Sequence, residues 1–385
     1  MSFRKRNAVI NSSASSQGAA QKPENATIPG IRPSPLDGRA TTSTGTSSLD
    51  NLLAGHAGIP MGTSLLVEEH GTTDFAGILL RYYVAEGLVQ GHQVHALGLH
   101  EGWRAELPGL SSDVKSSSKS ETASNDKMKI AWRYESLGSV GAARERQPHH
   151  QLSSSSTTTS VFCHSFDLTK KLSPGDIKGQ IGFHPSMTGP TPGIRPTEPP
   201  SPFKLFIKEL ATKLANSPPT WAHRVIVPNL LSPTMFASSS CRPEEVLQFL
   251  HSLRALLRQY ASRLTVIITL PLSLYPRTIG LTRWMELLCD GVLELIPLQS
   301  SAIHAPPPSA KSDSKSEEQV QGLLKVHSLP ILHEKGGGSH SAHDDQSFSL
   351  SRSKGLIIKP FYLPPADSDE PDQKPGDSSK GSMEF

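Results

Sequence analysis

The chain has 385 residues, a formal net charge of +3 and only 6% aromatic residues, with many Ser, Pro and Gly. Mild basicity does not by itself indicate nucleic-acid binding, and no apolar run approaches the ~20 residues of a membrane span. The three scattered cysteines, Cys163, Cys241 and Cys289, exclude a disulfide framework and a CxxxCxxC iron–sulfur motif. They indicate a reducing compartment.

The N-terminal residues 1–27 are predicted to be a disordered tail because they are polar and low in complexity. Their basic start has no apolar core, so it is not a secretory signal. The Arg4-Lys5-Arg6 cluster is a solvated basic tail or a nuclear signal, and the first interpretation is favoured. Residues 28–39 contain three prolines and are expected to be extended.

The stretch 46–91 has the order of parts of a nucleotide-binding core. Glycine-marked turns precede an apolar run at 63–67, which is short enough for a buried strand. A loop at 68–73 follows, and a helix is predicted from Asp74 to a stop at Gly91. A strand, a loop and a helix in this order hold phosphate in P-loop proteins, where backbone N–H groups at the helix N-terminus face the anion.

The start of this helix carries its own capping signals. Thr72 or Thr73 can cap it, and Asp74 is expected in the first turn, facing the positive end of the helix dipole. A simpler interpretation is that TTDFAG only caps and packs a helix, and for these residues individually it is the better one.

These segments also carry a family resemblance. TSSLDNLLAGHAG followed by SLLVEEHGTTDFAGILLRYYVAEG resembles the start of a RecA-type ATPase core. Together with the preceding RPSPLDGRATTSTG, it is similar to the family of the fourth Elongator subunit over residues 32–110 approximately. A weaker resemblance to the same family is present at 161–172 and in the C-terminal strands. The resemblance implies an α/β, RecA-like, P-loop-type core whose mainly parallel central sheet is flanked by helices.

The loop departs from a working P-loop, which reads GxxxxGK[ST]. An ungapped alignment puts the last Gly on Asp74, the Lys on Phe75 and the Ser/Thr on Ala76, and no Lys occurs between residues 62 and 91. Acidic side chains at 68, 69 and 74 would repel a triphosphate, each by roughly 1 kcal/mol even in water. We therefore predict a degenerate phosphate loop formed by Glu69, Gly71, Thr72, Thr73 and Asp74.

The rest of the chain is expected to complete one domain, 28–365, followed by a disordered tail at 366–385. Low-complexity insertions are predicted at about 111–127, 141–160, 175–201, 300–318 and 333–352. Strands are predicted at 93–99, 129–134, 223–227, 264–269, 291–297, 322–329 and 356–363, and helices at 203–214 and from Pro243. The apolar patch 161–172 is expected to pack as an arm on the core or on a partner.

A second loop also lacks ATPase chemistry. The strand at 223–227 runs into Pro228 and Asn229, whereas RecA-type ATPases resemble one another in ending this strand with an Asp that orients Mg²⁺. A neutral amide cannot replace that charge, so degenerate Walker motifs are expected at both positions.

The loop after the strand at 264–269 is the candidate RNA contact. Tyr275, Arg277 and Arg283 mix positive and aromatic side chains, which suits phosphate pairing and base stacking. The alternative is an ordinary strand-to-helix loop in which Trp284 belongs to the core.

The resemblance implies the remaining functional expectations. It implies a hetero-hexameric ring with Elongator subunits five and six that binds tRNA, associates with the catalytic Elongator subcomplex and supports wobble-uridine (U34) modification to mcm5U, ncm5U and mcm5s2U. No catalytic residue, metal or cofactor is assigned to this chain, and ATP at the ring interfaces is the cofactor candidate. We expect a cytoplasmic and nuclear protein. The alternative is an active RecA-type ATPase or recombinase-like subunit, with Arg104, Arg224 or Arg283 acting as a finger in trans.

Overall fold

A nine-stranded mixed sheet forms the centre of the fold. The computed structural model describes residues 28–53, 57–111, 161–187, 201–298, 320–330, 345–351 and 355–361. The sheet contains β4 (Ser64–Glu69), β5 (Gln93–Leu97), β8 (Gln180–His184), β9 (His223–Val227), β10 (Leu264–Pro271), β11 (Gly291–Pro297), β12 (Gly322–Ser328), β13 (Gln346–Ser351) and β14 (Gly355–Pro360).

Two small sheets, five α-helices and two short 3-10 helices, Glu101–Glu106 and Pro174–Asp176, complete the elements of the described residues. The antiparallel small sheets are β1 (Ile31–Pro33), β2 (Ala40–Thr42) and β3 (Ile59–Pro60), and β6 (Pro108–Leu110) with β7 (Phe166–Lys171). The helices are α1 (Ser47–Leu52), α2 (Phe75–Gln90), α3 (Pro202–Asn216), α4 (Pro243–Gln259) and α5 (Gly280–Leu288).

The strand order is β14-β13-β12-β11-β4-β10-β9-β5-β8. The run from β11 to β8 is parallel throughout, and β12, β13 and β14 extend it as an antiparallel end. Parallel neighbours need crossover connections, and α2, α3, α4 and α5 each lie between two strands of the parallel run. The connection from β5 to β8 contains the small sheet of β6 and β7 instead. The predicted RecA-like α/β fold with a mainly parallel central sheet is therefore confirmed.

Helices cover both faces of this sheet. One core cluster joins Leu65, Val67 and Ile267 of the sheet to α2, and the other joins Leu66 and Ile268 to α3, α4 and α5. Successive strand residues point to opposite faces, so neighbours such as Leu65 and Leu66 serve different cores. This explains why the buried strands read as continuous apolar runs rather than as alternating ones.

Helix α2 is buried nearly all round because a second layer lies outside it. Phe166 of β7 packs edge-on against Tyr82 of α2, with ring centroids 6.0 Å apart. The patch 161–172 thus packs on the core of its own chain, which is one of its two expected placements. No helix among the described residues has the length and apolarity needed to cross a bilayer.

Arg224 on β9 lies inside the protein with only 1% of its surface exposed. Its guanidinium donates to His92 Nδ1 at 2.9 Å, to the Tyr83 carbonyl at 2.8 Å and to Thr42 Oγ1 at 2.8 Å. These bonds connect β2, α2 and the central sheet. A side chain held in this way cannot reach a neighbouring subunit, so the expectation that Arg224 could act as a finger in trans is wrong.

Two predicted insertions contain sheet strands. β8 lies within 175–201 and β13 within 333–352, so those parts of the domain outline are corrected. β8 was missed because it has five residues with a glycine in the middle, and β13 because its residues are mostly polar. The strand predicted at 129–134, the tails at 1–27 and 366–385, and most of the insertions at 111–127, 141–160 and 300–318 lie outside the described residues.

Candidate functional site

The predicted phosphate loop connects β4 to α2 at the carboxyl edge of the parallel strands. β4 is central, with β10 on one side and β11 on the other. Ligands of open α/β sheets bind at this edge. The tip of the loop is exposed, and Gly71 has a φ of +79°, a left-handed conformation that suits glycine.

The helix N-terminus at this loop already holds an anionic group of the same chain. One Glu69 carboxylate oxygen accepts from the Phe75 N–H at 2.9 Å and from the Thr73 hydroxyl at 2.7 Å, and the other accepts from the Ala76 N–H at 3.0 Å. Burial raises the pKa of Glu69, while these hydrogen bonds oppose that shift. The backbone donors that would face a phosphate in a P-loop are therefore bonded to Glu69.

The expected capping arrangement is corrected in its details. The residue at the N-cap is Asp74, and it makes no capping hydrogen bond through its side chain. Thr73 instead donates to Glu69, and Thr72 is exposed at the loop tip. A carboxylate accepts hydrogen bonds more strongly than a hydroxyl and also favours the positive end of the helix dipole, which explains why Glu69 takes this position.

Asp74 forms an exposed ion pair with a cation of α2. Its carboxylate pairs with Arg81 at 2.9 Å, and Arg81 also pairs with Glu106 at 2.9 Å. Arg81 lies in the second turn of α2, so the ion pair with Asp74 forms on the outer surface of the helix. The pair links the N-cap of α2 to its second turn.

The two positions that align with the Walker Lys and Ser/Thr are part of the core. Phe75 contacts the ring of Phe348 on β13 edge-on, with centroids 4.8 Å apart. Ala76 is 2% exposed and packs in the cluster beneath α2. Phe75 therefore packs the antiparallel end of the sheet against the helix, and Ala76 is part of the same core cluster.

The loop after β9 lies at the same edge of the sheet. Asn229 has a φ of +44°, and its N–H donates to Thr269 Oγ1 of β10 at 2.7 Å. The bond ties this loop to the neighbouring strand. The amide at this position carries no charge for a metal, as the sequence indicated.

A cluster of charged side chains lies beside the phosphate loop, between the sheet and α5. Arg277 forms a bidentate pair with Glu286 at 2.7 and 3.1 Å, and lies 3.5 Å from Glu68 and 3.7 Å from Glu294. His327 contacts both Arg277, at 2.8 Å, and Glu294, at 2.6 Å. The Arg277 guanidinium thus supplies the positive charge among three carboxyl groups, as a metal ion does in many acidic sites.

Glu68 is the most deeply buried member of this charged cluster. It is fully buried, its carboxyl group lies beside that of Glu286, and Arg277 Nε is 3.5 Å from one of its oxygens. Burial, and then the charge of Glu286, raise the pKa of Glu68 to about 8, and Arg277 only partly opposes this. Glu68 is therefore mainly a neutral acid at pH 7.

The candidate RNA-contact residues are mostly engaged within the chain. The Tyr275 hydroxyl donates to the Leu231 carbonyl at 2.9 Å, and Arg277 belongs to the charged cluster. Arg283 pairs with Glu286 at 2.5 Å, but its side chain is 57% exposed. Trp284 is 58% exposed, so the interpretation that placed it in the core is wrong.

The position of the loop between β4 and α2 is evident from the sequence, but the partners of its side chains are not. Glu69 is expected to repel a phosphate, although an acid just before a predicted helix start can also be its cap. The charged cluster is not evident from the sequence because its members are spread over five segments of the chain. The polar residues Glu68 and Glu294 inside apolar strands were the one available signal.

Comparisons with known proteins agree with the resemblance. The family model described as PAXNEB protein matches residues 24–385. Elongator complex protein 4 of Schizosaccharomyces pombe is 31% identical over 361 residues, covering 90% of this chain and 91% of the relative. Elongator complex protein 4 of Homo sapiens is 29% identical, covering 90% of this chain and 82% of the relative.

Among solved structures, the KaiC-like protein PH0186 from Pyrococcus horikoshii aligns over 83% of this chain and 99% of its own, at 13% identity and a TM-score of 0.39. The fold assignment itself rests on the strand order described above. The family assignment rests on the near full-length matches. The chain belongs to the PAXNEB protein family, whose matched members are named Elongator complex protein 4.

Proposed function

We propose that this chain is a non-catalytic, RecA-like subunit of Elongator. In this proposal it assembles with subunits five and six into a hexameric ring that binds tRNA and supports U34 modification by the catalytic subcomplex, in the cytoplasm and nucleus. The observation that carries the non-catalytic part is the Glu69 carboxylate, which is bonded to the N–H groups of α2 that a phosphate would need. Membership of the family supports the assembly.

An apolar outer face on α5 supports assembly with other subunits. Trp284 is 58% exposed and Leu287 is 66% exposed, and both lie on this short helix. Large exposed apolar side chains grouped on one element are typical of interaction sites. Trp is also enriched among the residues that dominate binding energy in interfaces.

Arg283 is the best remaining residue for the tRNA contact. Its side chain is largely exposed, although it shares Glu286 with Arg277. Arg277 is held by the charged cluster, so its removal would disturb the fold beside the phosphate loop as well as any RNA contact. We therefore base the RNA test on Arg283.

The test measures assembly and tRNA binding with the full chain and its two sister subunits. Trp284→Asp with Leu287→Asp should weaken association with subunits five and six by about 30-fold or more, as expected when an interface centre is lost. Arg283→Ala should weaken tRNA binding by the ring and lower the slope of log K against log salt by about 1. Both are measured by titration at two or more salt concentrations.

Two surface variants serve as controls. Leu205→Asp changes a partly exposed apolar residue on α3, and Arg258→Ala removes an exposed arginine of α4. Neither should change assembly or the salt slope. Assembly unaffected by the α5 double variant would contradict the proposed interface, and tRNA affinity unchanged by Arg283→Ala at every salt concentration would place the RNA surface elsewhere.

A further inference from the structure

A cavity of about 460 Å³ opens at the amino edge of the parallel strands, opposite the edge that carries the phosphate loop. The first residues of β5, β8 and β9 form its floor, and the last turn of α3 with the segment after it forms its wall. Trp221, which is 44% exposed, also lines it. The site is separate from the loop at β4, so an inference about it does not depend on the proposed function.

Two nitrogen atoms lie close to one small space at the floor of this cavity. Gly182 of β8 leaves the space of a missing side chain, since a Cβ built on it would be 3.1 Å from Lys213 Nζ and 3.6 Å from His184 Nε2. His95 of β5 is the register neighbour of Gly182, and its ring lines the cavity. The Lys213 ammonium and the His184 imidazole are thus nearest to the position above Gly182, and the Val94 carbonyl oxygen follows at 3.9 Å. The His95 imidazole lies beside them on the neighbouring strand.

Both imidazoles have a buried ring nitrogen without a partner. His95 is 3% exposed and His184 is 4% exposed. Neither His95 Nδ1 nor His184 Nε2 forms a hydrogen bond with any described residue. A buried polar atom without a partner is costly, so two in one place call for a ligand.

The hydrogen bonds of His184 Nδ1 and His95 Nε2 determine whether the other nitrogen of each ring is a donor or an acceptor. His184 Nδ1 lies 2.7 Å from a Glu209 carboxylate oxygen and donates to it, so Nε2 of the neutral ring is a bare acceptor. His95 Nε2 bonds to His223 Nδ1 at 3.0 Å, and His223 Nε2 bonds to the Ser217 hydroxyl at 2.9 Å. The Ser217 hydroxyl donates to the Leu214 carbonyl at 3.1 Å, so it accepts from His223, and His223 Nδ1 in turn accepts from His95 Nε2. In the neutral His95 ring, Nδ1 is therefore a second acceptor without a donor.

The charge of the lining favours an anionic ligand, and the free imidazole nitrogen favours a ligand that also has a hydrogen-bond donor. Lys213 is the one formally charged residue of the lining, which contains no Asp or Glu. Burial lowers the pKa of His184, of His95 and, to about 4, of His223, so the rings stay neutral near pH 7. The lining thus combines one positive charge with at least one acceptor that needs a donor.

We propose that this cavity binds a small phosphate monoester that carries an aromatic ring, such as a nucleoside monophosphate. The phosphate lies above Gly182, where its anionic oxygens accept from Lys213 and its P–OH donates to His184 Nε2. The aromatic ring stacks on Trp221 at the cavity mouth.

Protonation of the phosphate makes binding depend on pH. A phosphate monoester loses its second proton with a pKa near 6, so the form with a P–OH group becomes scarce above that pH. The charged and titratable groups that face His184 are Glu209 and Lys213 of α3, His95 of β5 and, through His95, His223 of β9. None of the three imidazoles is charged at pH 7, so affinity should fall as pH rises through the phosphate pKa.

The test titrates the full-length chain with AMP, adenosine and ribose 5-phosphate in a calorimeter. AMP should bind about tenfold more tightly than either adenosine, which lacks the phosphate, or ribose 5-phosphate, which lacks the ring. Its affinity should fall by about tenfold or more between about pH 6 and about pH 8. Gly182→Ala, which fills the space between the nitrogens, and Lys213→Met should each weaken AMP binding by about tenfold.

Lys208→Met is the matched control, because Lys208 lies on the same helix but does not line the cavity. It should leave AMP binding unchanged. Lys213→Met removes an exposed side chain and keeps the test valid if Gly182→Ala affects folding. The proposal is overturned if AMP shows no saturable binding, if ribose 5-phosphate binds as tightly as AMP, or if Lys208→Met weakens binding as much as Lys213→Met.

Discussion

Arg224→Met is expected to lower the free energy of unfolding by about 3–5 kcal/mol, measured by urea denaturation of the full-length chain. The change removes the donor from three buried acceptors: the Tyr83 carbonyl, His92 Nδ1 and Thr42 Oγ1. Each buried acceptor left without a donor costs about 1–3 kcal/mol. The loss is partly offset because a buried charge is removed with the side chain.

Arg224 links α2 to the N-terminal segment, because the Tyr83 carbonyl is in α2 and His92 lies just after that helix. His92 accepts from Arg224 through Nδ1, and its Nε2 contacts the Pro29 carbonyl at 2.8 Å. The loss of Arg224 should therefore loosen the small sheet of β1, β2 and β3 from the helix. Arg258→Met, on an exposed arginine of α4, is the control and should change stability by less than about 0.5 kcal/mol.

A double-mutant cycle with Gly87→Ala and Arg224→Met measures the contact between α2 and the Arg224 side chain. A Cβ on Gly87 of α2 would lie 2.6 Å from Arg224 Cδ, so Gly87→Ala should be destabilising while Arg224 is present. In the Arg224→Met background the more flexible side chain can move away, and the same change should cost about 1–3 kcal/mol less. Equal costs in both backgrounds would show that Arg224 does not occupy this position beside α2.

Glu68→Gln is expected to raise the free energy of unfolding at pH 8 by about 2–4 kcal/mol and to change it little at pH 5. The folded chain raises the pKa of Glu68 to about 8 from an ordinary value of 4.5. Such a group contributes stability that is fully present below pH 4.5 and is lost as pH rises to about 8. The Gln amide has nearly the same shape and does not ionise, so the variant keeps this stability at pH 8.

The measurement compares urea denaturation of the variant and the unchanged chain at several pH values from 5 to 8. Glu106→Gln is the control, because the Glu106 carboxylate is half exposed in its pair with Arg81. It should show no comparable rise with pH. A Glu68→Gln variant that is less stable than the unchanged chain at pH 8 would mean that attraction to Arg277 outweighs burial of the carboxylate.

The backbone of the nucleotide-binding stretch was predictable because each of its signals is local. The apolar run at 63–67 became β4, and Gly91 ends α2 with a φ of +89°. By contrast, β8 and β13 depend on neighbours distant in sequence, and neither has enough apolar residues to indicate burial. Local signals therefore located the central strands together with β12 and β14, but not β13 between those two or β8 at the other edge.

The site was predictable in position but not in its contacts. The absence of a Lys from the loop could be read directly, whereas the bond from Glu69 to the next helix needed the turn of the loop in three dimensions. Arg277 was predicted to face RNA because its sequence neighbours are aromatic or positive. Its partners Glu286 and Glu294 come from α5 and β11, and only the fold brings them within reach.

The central claim is that Glu69 occupies the position of a phosphate, so the loop does not carry out ATP chemistry. Hydrolysis of Mg-ATP by the purified chain tests this most directly, because nucleotide bound at the separate cavity would not by itself produce turnover. We predict that phosphate release does not exceed the rate without protein, and that Asp74→Ala and Glu69→Ala leave it unchanged. Turnover above that rate that either substitution abolishes would contradict the claim.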